Sequence, residues 1–246
     1  MTIRELLERQ GDRFFRWRSY LPLLVIPFFA LAIKDFTYPW GSYRLYLAWS
    51  FLCLAVSGFG LGIRLVTAGF IPYGTSGLNT KAQAALSLNT TGIYSLVRHP
   101  LYLGNFFIWL GVALFVRTWW FVLLIAALFG FFYERIMLAE ERFLEAKFGD
   151  QFRDWAAQTP AFLPRWSHWR QADLSFSLKT AVKREYNAFF AIITGYFVLT
   201  LAGTAIAEGR LHFNGPWTAI FAAGAVIYLT IRFLKKKTNW LRVEGR

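Results

Sequence analysis

The sequence has one cysteine, three histidines and 14 acidic residues among 246 positions. Cys53, alone, can form no intramolecular disulfide and no thiolate cluster, so it reads as packing inside an apolar run. His99, His168 and His212 are too scattered to suggest ligand spacing, and no metal is expected. Residues 1–40 lack the small-residue cleavage site of a secretory signal, so none is expected to be removed. Charge is scarce, at 17% of positions against 56% hydrophobic and 20% aromatic. Soluble domains seldom carry so many aromatic residues on so few charges, and the balance points to a membrane protein.

What the chain does have is apolar runs. Leu45 to Ile63, Ala188 to Ala207 and Pro216 to Ile231 contain no charged residue and approach the length that crosses a hydrocarbon core. Shorter runs at Tyr20 to Ile33, Leu101 to Val116 and Trp119 to Tyr133 bring the set to six. The expectation is an all-α integral membrane bundle of about six transmembrane helices. It forms a single domain over 1–246, with a central segment of about 64–164 and two C-terminal transmembrane helices within 188–234. Of the 27 Lys and Arg residues, 23 fall in alternate inter-span segments on one side. That asymmetry predicts a multi-pass protein with both termini in the cytoplasm. It also accounts for most of the +13 net charge as topology and attraction to an anionic membrane surface, with no nucleic acid involved. Residues 1–19 read as an interfacial helix, with Thr2 and Glu5 forming a capping box and Ile3, Leu6, Leu7, Phe14 and Phe15 supplying apolar surface; a frayed tail is the alternative.

Between the third and fourth runs only Arg117 and Thr118 interrupt the apolar sequence, which predicts a tight helical hairpin with antiparallel arms. One free end then carries Arg98, His99 and Tyr102, and the other Glu134, Arg135, Glu140 and Glu141. Pro100 suits the first turn of a helix, making His99 the boundary residue, with orphan N–H groups and Arg98 beside it attracting anions. Gly104 and Gly111 give the same helix a small-residue stripe for close approach. After the hairpin, Glu141, Leu144 and Phe148 share a stripe that continues into Phe152 and Trp155, so a cytosolic amphipathic helix follows the fourth run directly. Gly149 stops this helix, Asp150 starts the next, and Pro160 to Pro164 returns the chain to the membrane as part of a lid. Plainer readings stand beside these: headgroup anchoring for Arg98 and His99, helix packing for the glycines, a solvated face for Glu141 and Glu145.

The ordered motifs "RHPLYLG", "EERFLEAKFGDQFRDW" and "PAFLP", over Gly92 to Pro164, resemble the isoprenylcysteine carboxyl methyltransferase family and the related phospholipid methyltransferases. Where that family often has tyrosines, this sequence has Phe152 and Trp155. The resemblance implies an integral membrane enzyme that takes S-adenosylmethionine as cofactor from the cytosol and methylates a membrane lipid or lipidated substrate. It implies that His99 and Tyr102, with Leu103 and Gly104 of the same turn, line the cofactor pocket, that Glu140 or Glu141 holds polar groups of the cofactor, and that Arg98 and Arg135 address a carboxylate or the acceptor beside Glu141.

An acceptor oxygen that is already ionised needs no general base, and no Ser-His-Asp arrangement is visible. In "GTSGLNTK" the backbone N–H groups, Thr75, Ser76, Asn79 and Lys81, with Arg64 upstream, suit phosphate oxygens. The loop is similar to that of bacterial members acting on the lipid A 1-phosphate, which makes a lipid phosphate the preferred acceptor and, in a bacterium, the inner membrane the location. An ordinary turn-rich connection is the plain alternative. An isoprenylcysteine carboxylate fits the same logic, and a phospholipid amine would need Glu141 as base. A nicotinamide-dependent sterol-type reductase shares the helical framework, and its class does without a GxGxxG motif. A transporter or scaffold would predict charges within the spans, which are nearly absent here.

Overall fold

The computed structural model describes residues 2–72, 74 and 85–245. Eight α-helices run through them: α1 (Ile3–Trp17), α2 (Ile26–Ile33), α3 (Tyr43–Phe70), α4 (Pro100–Phe115), α5 (Trp119–Phe148), α6 (Asp150–Gln158), α7 (Leu178–Glu208) and α8 (Gly215–Lys237). Among the described residues there is no strand, only an isolated bridge between Gly92 and Arg170. Side chains start several helices by accepting an otherwise orphan backbone N–H. Thr2 and Glu5 form the expected capping box on α1, Ser42 caps α3, Ser177 caps α7 and Asn214 caps α8.

By length and composition α3, α5, α7 and α8 can each cross a membrane, which makes this a multi-pass membrane protein. The count of spans is four, or five if a bent pair is included, against about six expected. The difference lies in the two shorter runs. The run from Tyr20 to Ile33 is broken: Pro22 and Pro27 stand at the starts of a 3-10 turn (Leu21–Val25) and of α2, and the path from α1 into this leg bends by 94°. Proline lacks the N–H that would carry one helix through. The α4 helix has 16 residues and falls short of a standard span.

α3 and α4 form the tightest pair. A Cβ on Gly60 would stand 2.4 Å from the carbonyl oxygen of Gly104, and one on Gly111 would stand 2.5 Å from that of Cys53, so both positions exclude any side chain. Ser57 sits in this seam and donates to the Ile108 carbonyl at 2.9 Å, with the Tyr196 hydroxyl of α7 3.0 Å away. The core continues through Tyr46, Phe115, Tyr196 and Trp217, all almost fully buried. Cys53 is buried there as packing.

α1 lies along the far half of α5. Gly11 meets the Arg135 carbonyl so closely that a Cβ would sit 2.0 Å from it. Arg142 of α5 reaches Asp12 at 2.6 Å, and Arg135 donates to Gln10 at 2.8 Å. The chain's N-terminal helix is therefore anchored beside the same end of the bundle where α4 begins and α5 finishes.

The seam makes a direct prediction. Gly60→Ala should destabilise the detergent-extracted protein by about 1–3 kcal/mol, the ordinary cost of overpacking. Gly58→Ala, one turn face away with nothing within 4 Å, should leave thermal unfolding unchanged or slightly raised. Equal unfolding temperatures for Gly60→Ala and the parent would contradict the close α3–α4 contact.

Candidate active site

Residues before α4 are zipped to the segment after α6. Arg98 N–H donates to the Pro160 carbonyl at 2.9 Å and His99 N–H to that of Ala161 at 3.2 Å, while Arg165 N–H donates to the Leu96 carbonyl at 2.9 Å. The returning "PAFLP" stretch thus takes up the two N–H groups that lead into α4. Pro100 occupies the first turn of α4 and His99 is its boundary residue, as the sequence predicts. Gly149, at φ 54°, separates α5 from α6 and serves as the boundary residue for both; Asp150 follows as the first residue of α6.

This frame fixes Arg98. Its Nε donates to Glu141 Oε1 at 2.8 Å and one Nη to Glu141 Oε2 at 3.3 Å; the other Nη donates to the carbonyls of Ala156 and Thr159, both at 2.7 Å. A planar guanidinium can satisfy all these acceptors at once, which a lysine cannot. The His99 Nε2 lies 2.9 Å from the same Glu141 Oε1. His99 is 6% exposed. Burial opposes charging of this imidazole, but hydrogen bonds and the field from Glu140 and Glu141 outweigh it and raise its pKa above the ordinary 6.5.

From there the network runs along the inner faces of the hairpin. Tyr102 stacks on His99 at 5.5 Å between ring centroids and donates its hydroxyl to Glu140 at 2.9 Å. Tyr133 meets the Tyr102 ring edge-on at 5.0 Å and accepts from Asn105 at 3.2 Å. Asn105 accepts from Arg64 at 2.5 Å, and Arg64 donates to Glu185 of α7 at 2.7 Å. Phe106, Phe129 and Phe162 form an aromatic wall beside Tyr133. Five helical segments therefore share one continuous polar chain edged by aromatic rings.

Of the residues expected from sequence, Arg98, His99, Tyr102, Glu140 and Glu141 come together. Arg64 joins them at one remove through Asn105. Arg135 does not: its guanidinium lies over the Phe131 ring and bonds Gln10, Glu134 and the Phe131 carbonyl. Gly104 faces α3, pressed against Gly60 and Arg64, and Leu103 is buried beside it. Thr75, Ser76, Asn79 and Lys81 lie outside the described residues. Sequence reasoning missed Asn105, Tyr133 and Glu185. Asn105 was detectable as the one amide within an apolar run, and Glu185 as an acid among bases where α7 begins. Tyr133, an aromatic at the end of an apolar run, gave no such signal.

Residues 50–151 match the family model described as phospholipid methyltransferase. That segment is similar to the phospholipid methyltransferase family. It contains both halves of the cluster, from Arg64 through Glu141. Among curated relatives, a nickel-cobalt-cadmium resistance protein (NccN) of Alcaligenes xylosoxydans xylosoxydans is 33% identical over 110 residues, covering 45% of this chain and 50% of that protein. A cobalt-zinc-cadmium resistance protein (CzcN) of Cupriavidus metallidurans is 34% identical over 45% of this chain and 49% of its own. The protein-S-isoprenylcysteine O-methyltransferase of Schizosaccharomyces pombe is 36% identical over 78 residues, 31% of this chain and 33% of that enzyme. The chain spans at most about half the length of these relatives. No solved structure matches. Among the described residues no group of three or more His, Cys, Asp or Glu is arranged to hold a metal ion.

Protonated His99 is bound more tightly by the folded chain than by the unfolded one. Its contribution to stability is full below about pH 6.5 and fades as pH rises through the higher folded value. The margin by which the parent outlasts His99→Gln in thermal unfolding should therefore narrow as pH is raised from about 6 into the alkaline range. A margin that widens with pH would show the opposite shift.

Proposed function

We propose that the protein is an S-adenosylmethionine-dependent membrane methyltransferase that passes a methyl group to an anionic group of a lipid, with a lipid phosphate as preferred acceptor. The observation that carries this reading is the meeting of "RHP" and "EE" across the α4–α5 hairpin, within a segment similar to the phospholipid methyltransferase family. The isoprenylcysteine O-methyltransferase relative supports the same reaction class.

The donor set suits the cofactor. Two carboxylates, Glu140 and Glu141, can hold ammonium and hydroxyl groups, and the stacked His99 and Tyr102 rings offer an aromatic face to a flat base or a cation. When bound, S-adenosylmethionine supplies an electrophilic methyl on a sulfonium. The rest falls to the chain. Arg98 acts as a positioning residue, since its donors are engaged by Glu141 and two carbonyls. The aromatic wall of Phe106, Phe129 and Tyr133 excludes water, and transfer between well-placed groups needs alignment and dryness more than acid or base. An ionised acceptor oxygen is its own nucleophile and requires only cations that orient it. The positive-side count supports a cytoplasmic face for this cluster.

Binding of S-adenosylmethionine should raise the unfolding temperature of the purified protein, with the shift growing logarithmically with concentration above the dissociation constant. His99→Ala and Glu141→Ala should each remove that shift and lower turnover about 100-fold or more, a loss of about 2.7 kcal/mol, while the protein still extracts as a folded species. Lipid extracts from cells with and without the protein should differ by a species heavier by one methyl. Full cofactor response in both variants would overturn the assignment of the site. Methylation of an isoprenylcysteine carboxylate or an amine instead of a phosphate would overturn the preferred acceptor.

A further inference from the structure

A shallow furrow runs down the outside of the bundle between the Leu21–Val25 turn and the α4–α5 hairpin. Its walls are Leu21, Pro22 and Val25 on one side and Trp109, Phe129 and Phe132 on the other. Two polar residues also line it: Arg18 and Tyr133. Arg18 closes α1, immediately before the 94° bend, with its guanidinium 4.1 Å from the centroid of the Phe15 ring. The furrow is lined mostly by apolar side chains and meets the polar cluster through Tyr133, whose ring contacts that of Tyr102.

We propose that this furrow seats the hydrocarbon chain of a membrane lipid whose anionic headgroup lies against Arg18, which presents that headgroup to the Tyr102–Glu140 edge of the site. The occupant follows from the chemistry of the lining. An apolar trough takes an acyl or isoprenyl chain, and it encloses only about 50 Å³, so it cradles one stretch of chain rather than a whole lipid. A guanidinium in its lining offers paired donors to a phosphate or carboxylate and gives a net-neutral headgroup no comparable advantage. The break at Pro22 is what places cation and trough together, because a continuous helix would carry Arg18 away from the hairpin. A larger apolar hollow, lined by Trp40, Trp49 and Trp119, lies at the opposite end of the bundle beside the hairpin turn and cannot deliver a headgroup to Glu140. The proposal rests on the methyltransferase reading for its purpose, but Arg18 and the furrow's first wall lie outside the family-matched segment.

The test uses the full chain in phosphatidylcholine nanodiscs containing a few percent of phosphatidic acid with a photoactivatable diazirine in its acyl chain. Labelling should concentrate on peptides covering 21–25 and 125–132. Arg18→Gln should reduce it about 10-fold, which corresponds to about 1.4 kcal/mol, and Arg18→Lys should restore part of it. Val25→Trp, which fills the trough without touching the cation, should reduce it as well. The same diazirine on phosphatidylcholine should label the furrow weakly and with no response to Arg18→Gln. Phosphatidic acid labelling that ignores both Arg18→Gln and Val25→Trp, or that falls equally on the outer face of α8 at Val226 and Leu229, would overturn the proposal. Thermal response to S-adenosylmethionine, measured on the same samples, separates the two readings. Arg18-dependent labelling without a cofactor response would sink the methyltransferase and leave the furrow standing; a cofactor response with Arg18-independent labelling would do the reverse.

Discussion

Glu141 held between Arg98 and His99 is the contact on which the site depends. The carboxylate belongs to α5, and Arg98 and His99 precede α4, so the contact joins the two ends of the hairpin away from its turn. Arg98 then extends the contact to the carbonyls of Ala156 and Thr159, so one side chain ties the start of α4, the end of α5 and the close of α6 together. A paired charge in a half-buried place tolerates its surroundings only while its partner remains; removing one member leaves the other desolvated and unsatisfied. That asymmetry makes the cluster a structural keystone as well as a candidate site. It also explains why Arg98, a cation at the mouth of an apolar helix, is engaged internally rather than held out to a substrate.

Much of this was legible in the sequence because it depends on local rules. Pro100 in the first turn, the capping box of Thr2 and Glu5, the stop at Gly149 and the close approach at Gly104 and Gly111 each follow from the conformational demands of one or two residues. The hairpin followed from the brevity of its turn. What the sequence did not reveal was partner choice over long separations. Glu185 reaches Arg64 across 121 residues, and Gln10 captures Arg135 across 125, diverting an arginine that the resemblance had assigned to the site. The N–H groups of Arg98 and His99, just ahead of α4, are likewise taken by carbonyls 62 residues later. Such pairings are set by helix rotation and tertiary packing, which residue spacing alone does not encode. The broken run from Tyr20 to Ile33 is a different case: its two prolines were visible, and the apolar count masked them.

The segment similar to the phospholipid methyltransferase family supplies the hairpin and both halves of the clamp, while the flanking parts adapt them. α7 adds Glu185 as counter-charge to Arg64, and α1 lies on α5 through Gly11 and the Arg142–Asp12 pair. The Glu141 contact thereby lies within the matched segment, while the flanking helices brace that segment from outside. The aromatic substitutions at Phe152 and Trp155 fit this division. Both are buried, and Trp155 donates its indole N–H to the Tyr94 carbonyl at 3.0 Å, bracing α6 against the segment that leads into α4.

The most direct measurement of the clamp is a double-mutant cycle on Arg98 and Glu141, using Arg98→Gln, Glu141→Gln and the double variant in reversible unfolding in detergent. If the two side chains are bonded in the folded protein, the losses will be strongly non-additive, with a coupling of about 1.5 kcal/mol or more. Additive losses, within about 0.5 kcal/mol, would mean that the ends of α4 and α5 do not meet through this pair, and the account of the site would fail with them.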